Sequence, residues 1–336
     1  MQRHTALLSS PRRRMVALAG LALACITAAG FGLWRLNRQS EPLAVSITSW
    51  PGNEYLFLAE QKRLADQFGI ELDVKQYSSL LDQRRSYIDG DVRVMATNLP
   101  ETLSICQDVP SRCPVLVLVL DESRGADRLI ALASITAPAQ LTGRNVGIER
   151  SVLPEYLLQR SLAGSAVGTD QLKLRFDGPV GLVQRLDDGE LDAIVTYSPH
   201  DTLLRQDPRF QELFSSARIP GEIVDVLAVD PALARHAPQQ LRALVRTWWA
   251  ARAYAGRHPR EAVAMMAGRQ KITPDQFRLT EQGVRYPDAA EQHRLLAQDS
   301  PLASTLQRMA RLMQASGRLR PDAPLPRLSA EYLEEP

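Results

Sequence analysis

The chain has 336 residues, more than one hydrophobic core usually serves, so two lobes or domains are expected. Its 40 basic and 38 acidic residues are interspersed and leave a formal net charge of only +2. No broad cationic face results, which argues against nucleic acid as a partner.

Arg3, Arg12, Arg13 and Arg14 precede Met15 to Trp34, a stretch of twenty residues without a charge. At about 1.5 Å per residue it is long enough to cross a hydrocarbon core of about 30 Å as a helix. The heavier basic cluster lies before it, so residues 1–14 are expected in the cytoplasm and everything after residue 34 outside. Three fates of residues 15–34 stay open: a retained transmembrane anchor, a signal segment cleaved after Ala22-Leu23-Ala24, or a lipoprotein acylated at Cys25. Each exports the body to the periplasm, tethered to the inner membrane or released. Residues 35–43, polar and carrying Pro42, read as a tether.

The body then alternates. "LAVSITSW" predicts a first strand, "NEYLFLAEQKRLADQFG" a helix stopping at Gly69, and "IELDVKQY" a second strand. "SSLLDQRRSYIDG" predicts a second helix and "VRVMATN" a third strand, which together imply a largely parallel sheet covered on both faces. "LPETLSICQ" is helical, and the continuous apolar run "PVLVLVLDES" reads as a strand buried on both faces. "DRLIALASI" and the short helix "TAPAQLTG" lead into a second series: "RNVGIE", "VLPEYLLQRSLAG", "LKLRF", "PVGLVQRLDDG" and "LDAIVTYS". From "GEIVDVLAVD" onward the chain turns helical, with hardly a strand, and ends in a Pro-rich tail.

A repeat marks the two series. "DGDVRVMATNLPETL" begins at Asp89 and "DGELDAIVTYSPHDTL" at Asp188, each where a helix ends and a third strand leads to a loop. Local physics alone accounts for much of the likeness, since Gly caps a helix and Pro opens the next. The other reading is two similarly built lobes, which would bring Thr97–Asn98 and Thr196–Tyr197 face to face across a gap.

Catalytic signatures are thin. The five histidines show no metal-binding spacing, and there is no Walker A, G-x-S-x-G or G-x-G-x-x-G motif, so nothing argues for an enzyme or a cofactor. Cys106 and Cys113 flank a polar, Pro-containing loop; in an oxidising compartment they pair as a disulfide, the alternative being two buried thiols. What the chain offers instead is polar loops at the carboxyl ends of strands, where α/β sheets bind ligands. These carry Trp50, Asn53 and Tyr55; Thr97 and Asn98; Ser123, Arg124 and Gly125; Arg150 and Ser151; and Tyr197. The Gly125 amide and the helix start at Ser151 are places where an anion could be held.

The segments "DGDVRVMATNLPETL", "LVLDESRGADRLIA", "LTGRNVGIERSVLPEYLL", "DGELDAIVTYSPHD" and "PRLSAEYL", in this order, resemble the nitrate/sulfonate/taurine-type periplasmic solute-binding proteins of ABC importers. The resemblance spans about residues 44–333. It implies the type II periplasmic-binding-protein fold: two α/β lobes with mixed, mostly parallel sheets, joined by two crossovers and closing on a ligand by hinge motion. Residues 44–124 and 225–336 would form lobe I and residues 125–224 lobe II. The implied ligand contacts fall at Trp50, Thr97–Asn98, residues 121–127, Ser151 and Tyr197. Two departures stand out: the loop Trp50-Pro51-Gly52-Asn53-Glu54-Tyr55 is longer than the family's usual one, and Arg124 stands where a small or amide residue is usual. Arg124 points either to an anionic ligand or to an outward salt bridge. The Cys-rich motif of the family's pyrimidine-synthesis relatives does not occur.

The expectation is therefore a monomeric, exported solute-binding protein that delivers a small molecule, an anion of the sulfonate or nitrate kind among those implied, to an ABC permease and ATPase. A membrane-tethered sensory module reading out closure to a membrane partner is the alternative, and an exported enzyme on the same scaffold a third.

Overall fold

The computed structural model describes residues 41–333, so the basic segment, the apolar stretch 15–34 and most of the tether lie outside the described residues. No helix among the described residues is long and apolar enough to cross a membrane.

Two sheets organise the body. The first is seven-stranded, in the order β11-β4-β10-β3-β1-β2 with β12 also on β4. Its strands are β1 (Leu43–Ile47), β2 (Leu72–Gln76), β3 (Val94–Asn98), β4 (Val115–Ser123), β10 (Val224–Val229), β11 (Val284–Arg285) and β12 (Arg327–Leu328). The second, five-stranded, has the order β7-β6-β8-β5-β9, from β5 (Asp127–Leu132), β6 (Asn145–Ile148), β7 (Lys173–Phe176), β8 (Ala193–Tyr197) and β9 (Phe210–Ser215). In the first sheet β1, β2, β3, β4 and β12 run one way and β10 and β11 the other. In the second, only β5 opposes the rest. Both sheets are mixed and mostly parallel.

Of the reversed strands, β5 and β10 each follow a crossing. β4 leaves the first sheet, and after Arg124, Gly125 and Ala126 the chain enters the second as β5, antiparallel to β8. β9 leaves the second sheet, and residues 216–223 return it to the first as β10, between β3 and β4. All nine residues of β4 are buried, as its unbroken apolar run requires of a strand covered on both faces.

The helices cover these sheets. α1 (Glu54–Gln61) stops well before Gly69, because Arg63 takes φ 52° and the chain continues as a short 3-10 turn, Asp66–Phe68. The unbroken helix expected over residues 53–69 is therefore corrected to one and a half turns of irregular chain after a two-turn helix. α2 (Leu80–Asp89) is capped by Ser79, whose Oγ accepts the Asp82 N–H at 3.1 Å. α3 (Leu99–Asp108) is capped by Asn98, whose Oδ1 accepts the Glu101 N–H at 3.1 Å. α4 (Val152–Leu162) and α5 (Pro179–Asp187) belong with the second sheet. The repeat resolves here: Gly90 and Gly189 take φ 96° and 76° just past α2 and α5, and each leads into a buried strand, β3 or β8.

The C-terminal half supplies α6 (Pro231–His236), α7 (Pro238–Arg257), α8 (Pro259–Gln270), α9 (Pro274–Glu281), α10 (Ala289–Leu295) and α11 (Pro301–Ala315). Leu241, Leu244 and Trp248 of α7 and Met266 of α8 pack with β1 and β4, while Leu306, Met309 and Met313 of α11 pack with Leu99 and Leu103 of α3. Cys106 and Cys113 are joined by a disulfide that ties the end of α3 to the approach to β4.

Candidate functional site

The two crossings lie side by side and are fastened together. The Ser216 hydroxyl lies 2.7 Å from the Ser123 hydroxyl and accepts the Gly125 N–H at 2.7 Å. Glu122 Oε1 accepts the Gly221 N–H at 2.7 Å, and the same carboxylate receives Arg124 and Arg285. Gly125 sits at φ 113°, where a side chain would be strained. Next to this fastening, a gap of about 20 Å³ opens between the sheets, lined by Thr48, Trp50, Leu80, Asn98, Asp127, Leu153, Tyr197 and Asp225. Beside it runs a groove of about 530 Å³, with Ser49, Ser78, Ser79, Leu81 and Asp82 on one side and Glu149, Arg150, Phe176 to Gly181 and His200 on the other.

The gap brings together three of the residues singled out in the sequence. Trp50, at the end of the chain leaving β1, and Tyr197, the last residue of β8, have ring centroids 6.3 Å apart at 58°. Asn98, the last residue of β3, lines the same gap. The ends of the two repeated segments thus meet at one place, through Asn98 and Tyr197. Thr97 and Thr196 are buried one residue earlier and are not among the lining residues.

Other expected contacts go elsewhere. Tyr55 packs in the core edge-on against Trp248 and Tyr286, each 5.4 Å away, and its hydroxyl donates to Glu281 Oε1 at 2.8 Å. Asn53 is buried under the first loop, its amide donating to Thr48 Oγ1 at 3.3 Å. Arg124 is an outward ion pair with Glu122 and lines a separate groove with Arg285 and Arg294. The Gly125 amide and Ser123 are spent on Ser216. Arg150 lies over the Phe176 ring, 4.0 Å from its centroid, at the groove. Ser151 is the buried residue preceding α4, but its Oγ makes no hydrogen bond.

The amides of α4 are capped from the opposite lobe. Glu101 Oε1, on α3, accepts the N–H groups of Val152 at 2.7 Å and Leu153 at 3.3 Å, and Arg84 holds Glu101 Oε2 at 3.2 Å. In return, Glu149, at the end of β6, accepts the Leu80 N–H at the start of α2 at 2.7 Å. Burial pushes the Glu101 carboxyl up, opposed by Arg84 and the two amides. Burial likewise pushes Glu149 up to about 7. The Gly125 amide and the first amides of α4 are thus engaged within the protein itself, while the Ser151 hydroxyl is not.

The floor of the gap is acidic. Trp50 Nε1 donates to Asp121 at 3.1 and 3.2 Å, and Asp121 is hydrogen-bonded to Asp225. Burial, then mutual repulsion with Asp121 and Asp127, pushes Asp225 well up, and burial also raises Asp121. Burial raises Asp127 to about 6, and its Oδ2 has no hydrogen-bond partner. Asp121 and Asp127 frame the quoted segment at residues 121–127, yet sequence reasoning chose the residues between them. The available signal was an acidic residue at the end of a strand otherwise buried on both faces. Burial lowers the pKa of His200 to about 4 and its Nε2 has no hydrogen-bond partner, while Asp201 is ion-paired with Arg128.

No protein-family model matches the chain, and no curated protein matches it in sequence. Solved structures do match in fold. The alkanesulfonate-binding protein SsuA from Xanthomonas axonopodis pv. citri, bound to MOPS, aligns with a TM-score of 0.68 at 16% identity, over 88% of this chain and 99% of that one. The periplasmic aliphatic sulphonate binding protein SsuA from Escherichia coli gives 0.66 at 13% identity, over 88% and 92%. The periplasmic nitrate-binding protein NrtA from Synechocystis PCC 6803 gives 0.65 at 10%, over 84% and 83%. The desulfurization enzyme DSZB is also similar, at 0.60 and 19% identity, over 84% and 94%. The described body therefore has the two-lobed α/β fold of the nitrate- and sulfonate-type periplasmic binding proteins.

Proposed function

We propose that the protein is an exported solute-binding protein that captures a small molecule between two lobes and delivers it to an ABC permease and ATPase. Lobe I comprises residues 44–124 and 225–336, and lobe II residues 125–224. The protein works in the periplasm as a monomer, tethered to the inner membrane through residues 15–34. The observation that carries this reading is the convergence of Trp50 and Asn98 from the first sheet with Tyr197 from the second on one gap beside the two crossings. A molecule touching both sides there stabilises the closed form by its differential affinity for it.

The fold alone does not decide between capture and catalysis, because DSZB shares it. The uncharged stretch 15–34 favours one further reading, a tethered module whose closure is read by a membrane sensor. Native mass spectrometry of the purified protein, followed by melting curves with whatever co-purifies, tests capture: a bound small molecule that raises Tm supports it. A ligand that is turned over, or none in any preparation, counts against it.

A further inference from the structure

We propose that the captured solute is a small primary ammonium compound, its charged head seated against Asp127 and Asp225 beside the rings of Trp50 and Tyr197. This rests on the capture reading above and names the ligand class for the same cleft.

The charge at the floor is one-sided. Asp127 and Asp225 line the gap, and no lysine or arginine does. The arginines nearest in the fold are already committed: Arg124 to Glu122, Arg128 to Asp201 and Glu212, and Arg84 to Glu101. Arg252 lies over the Tyr55 and Tyr286 rings, 5.1 and 4.3 Å from their centroids; it acts on Asp121 but does not line the gap. An anion entering here would meet carboxyl groups and find the Gly125 and α4 amides taken.

Asp127 Oδ2 is the second observation. The residue is 3% exposed, lines the gap, and leaves this oxygen without a hydrogen-bond partner. A buried acceptor left unmade is costly, and a cationic donor placed in the gap would satisfy it with a charge-assisted bond. The raised pKa of Asp127 has the same origin, a buried carboxyl group without a full complement of partners. The Trp50 and Tyr197 rings, packed together at the edge of the gap, add an aromatic wall beside the seat.

Size and chemistry narrow the class. A gap of about 20 Å³ admits a group the size of one water molecule, which an –NH₃⁺ head is and a quaternary ammonium is not. Thr48 and Ser49, and Ser79 and Leu80, are neighbours in the chain that line gap and groove respectively or the reverse, so a tail would run from the gap into the groove of about 530 Å³. Among the described residues no group of three or more His, Cys, Asp or Glu side chains is arranged to hold a metal ion, and the groove beside the gap has room for an organic tail.

The test measures Tm and calorimetric binding of the full-length protein with n-butylammonium, 1,4-diaminobutane, tetramethylammonium, methanesulfonate and nitrate. Primary amines are expected to raise Tm, and Asp127→Asn to weaken their binding about tenfold or more while its ligand-free circular dichroism stays unchanged. Asp275→Asn, exposed on α9 and lining neither gap nor groove, serves as a charge control and is expected to bind within a few-fold of the parent. Binding of methanesulfonate or nitrate instead of the amines overturns the ammonium class and leaves capture standing. Tetramethylammonium binding as well as butylammonium, or D127N binding like the parent, overturns the seat. A molecule that co-purifies and is neither cation nor amine overturns the class, and an absence of binding by every probe and every preparation removes capture as well.

Discussion

The Leu80 amide at the start of α2 donates to Glu149 Oε1 at the end of β6, 2.7 Å away and across the division between the two sheets. Glu101 makes the reciprocal contact with Val152 and Leu153 at the start of α4. Each helix N-terminus has unmade N–H groups and the positive end of a dipole, and each is closed by a carboxylate from the other side. The pair of contacts is a latch between lobes, made from groups that also define where charge is tolerated in the cleft.

The latch is expected to tighten in acid. Burial raises Glu149 to about 7 from 4.5, so the closed form holds more protons than the open form between those values. This stabilisation is fully present below about 4.5 and is lost as pH rises through about 7, at up to about 1.4 kcal/mol per pH unit. Radius of gyration by small-angle scattering, followed from pH 8 to pH 5, should fall in the parent and change less in Glu149→Gln. Equal responses of the two proteins would remove Glu149 from the latch.

Asp121 and Asp225 face each other in neighbouring strands, β4 and β10; burial raises both, and repulsion from Asp121 and Asp127 raises Asp225 further. Asp225→Asn keeps the hydrogen bond and removes one acid. Because the pair carries pKa values above the ordinary aspartate range, its ionisation weakens the fold as pH rises. The variant should therefore melt higher than the parent at pH 8, by on the order of 1 kcal/mol, with the gap closing towards pH 4. A parent-like melting curve at pH 8 would show that the pair does not oppose folding.

Gly52 leaves room for the Trp50–Asp121 contact. A Cβ there would fall 1.8 Å from Asp121 Oδ2 and 2.8 Å from its Cγ. Gly52→Ala is expected to push the carboxylate away, release Trp50 Nε1 and cost about 1–3 kcal/mol. Chemical denaturation gives the loss, and a shifted tryptophan emission spectrum reports the indole; a parent-like spectrum with parent-like stability would refute it.

The Cys106–Cys113 disulfide closes a very short loop, with a sequence separation of 7. Replacing both cysteines by alanine should lower stability by about 2–3 kcal/mol through the freer unfolded chain. Urea denaturation of oxidised parent and variant checks this, and coincident midpoints would contradict it.

Much of the scaffold was readable locally. The nine buried residues of β4, the capped α2 and the Gly90 and Gly189 helix ends follow from apolar period, capping side chains and left-handed glycines, all properties of neighbours in the chain. β9 was missed because "FQELFS" carries polar residues within a short run, and its strand exists through pairing with β5. The break at Arg63 was missed because nothing in the residues themselves demands a left-handed φ there.

At the site the division is sharper. Trp50, Asn98 and Tyr197, which line one gap, could be named from sequence because the sequence alone marks where strands end. Tyr55 and Arg124 carry the same local signal, yet one packs against Trp248 and the other pairs with Glu122. The composition, the element order, the repeat and the cysteine pair were determined by the sequence itself. Only tertiary structure decided which carboxylates converge, because Asp121, Asp127 and Asp225 come from β4, β5 and β10 and meet only when both crossings fold back to one point. Their burial together, with no lysine or arginine lining the gap, is what turns three ordinary aspartates into an acidic floor.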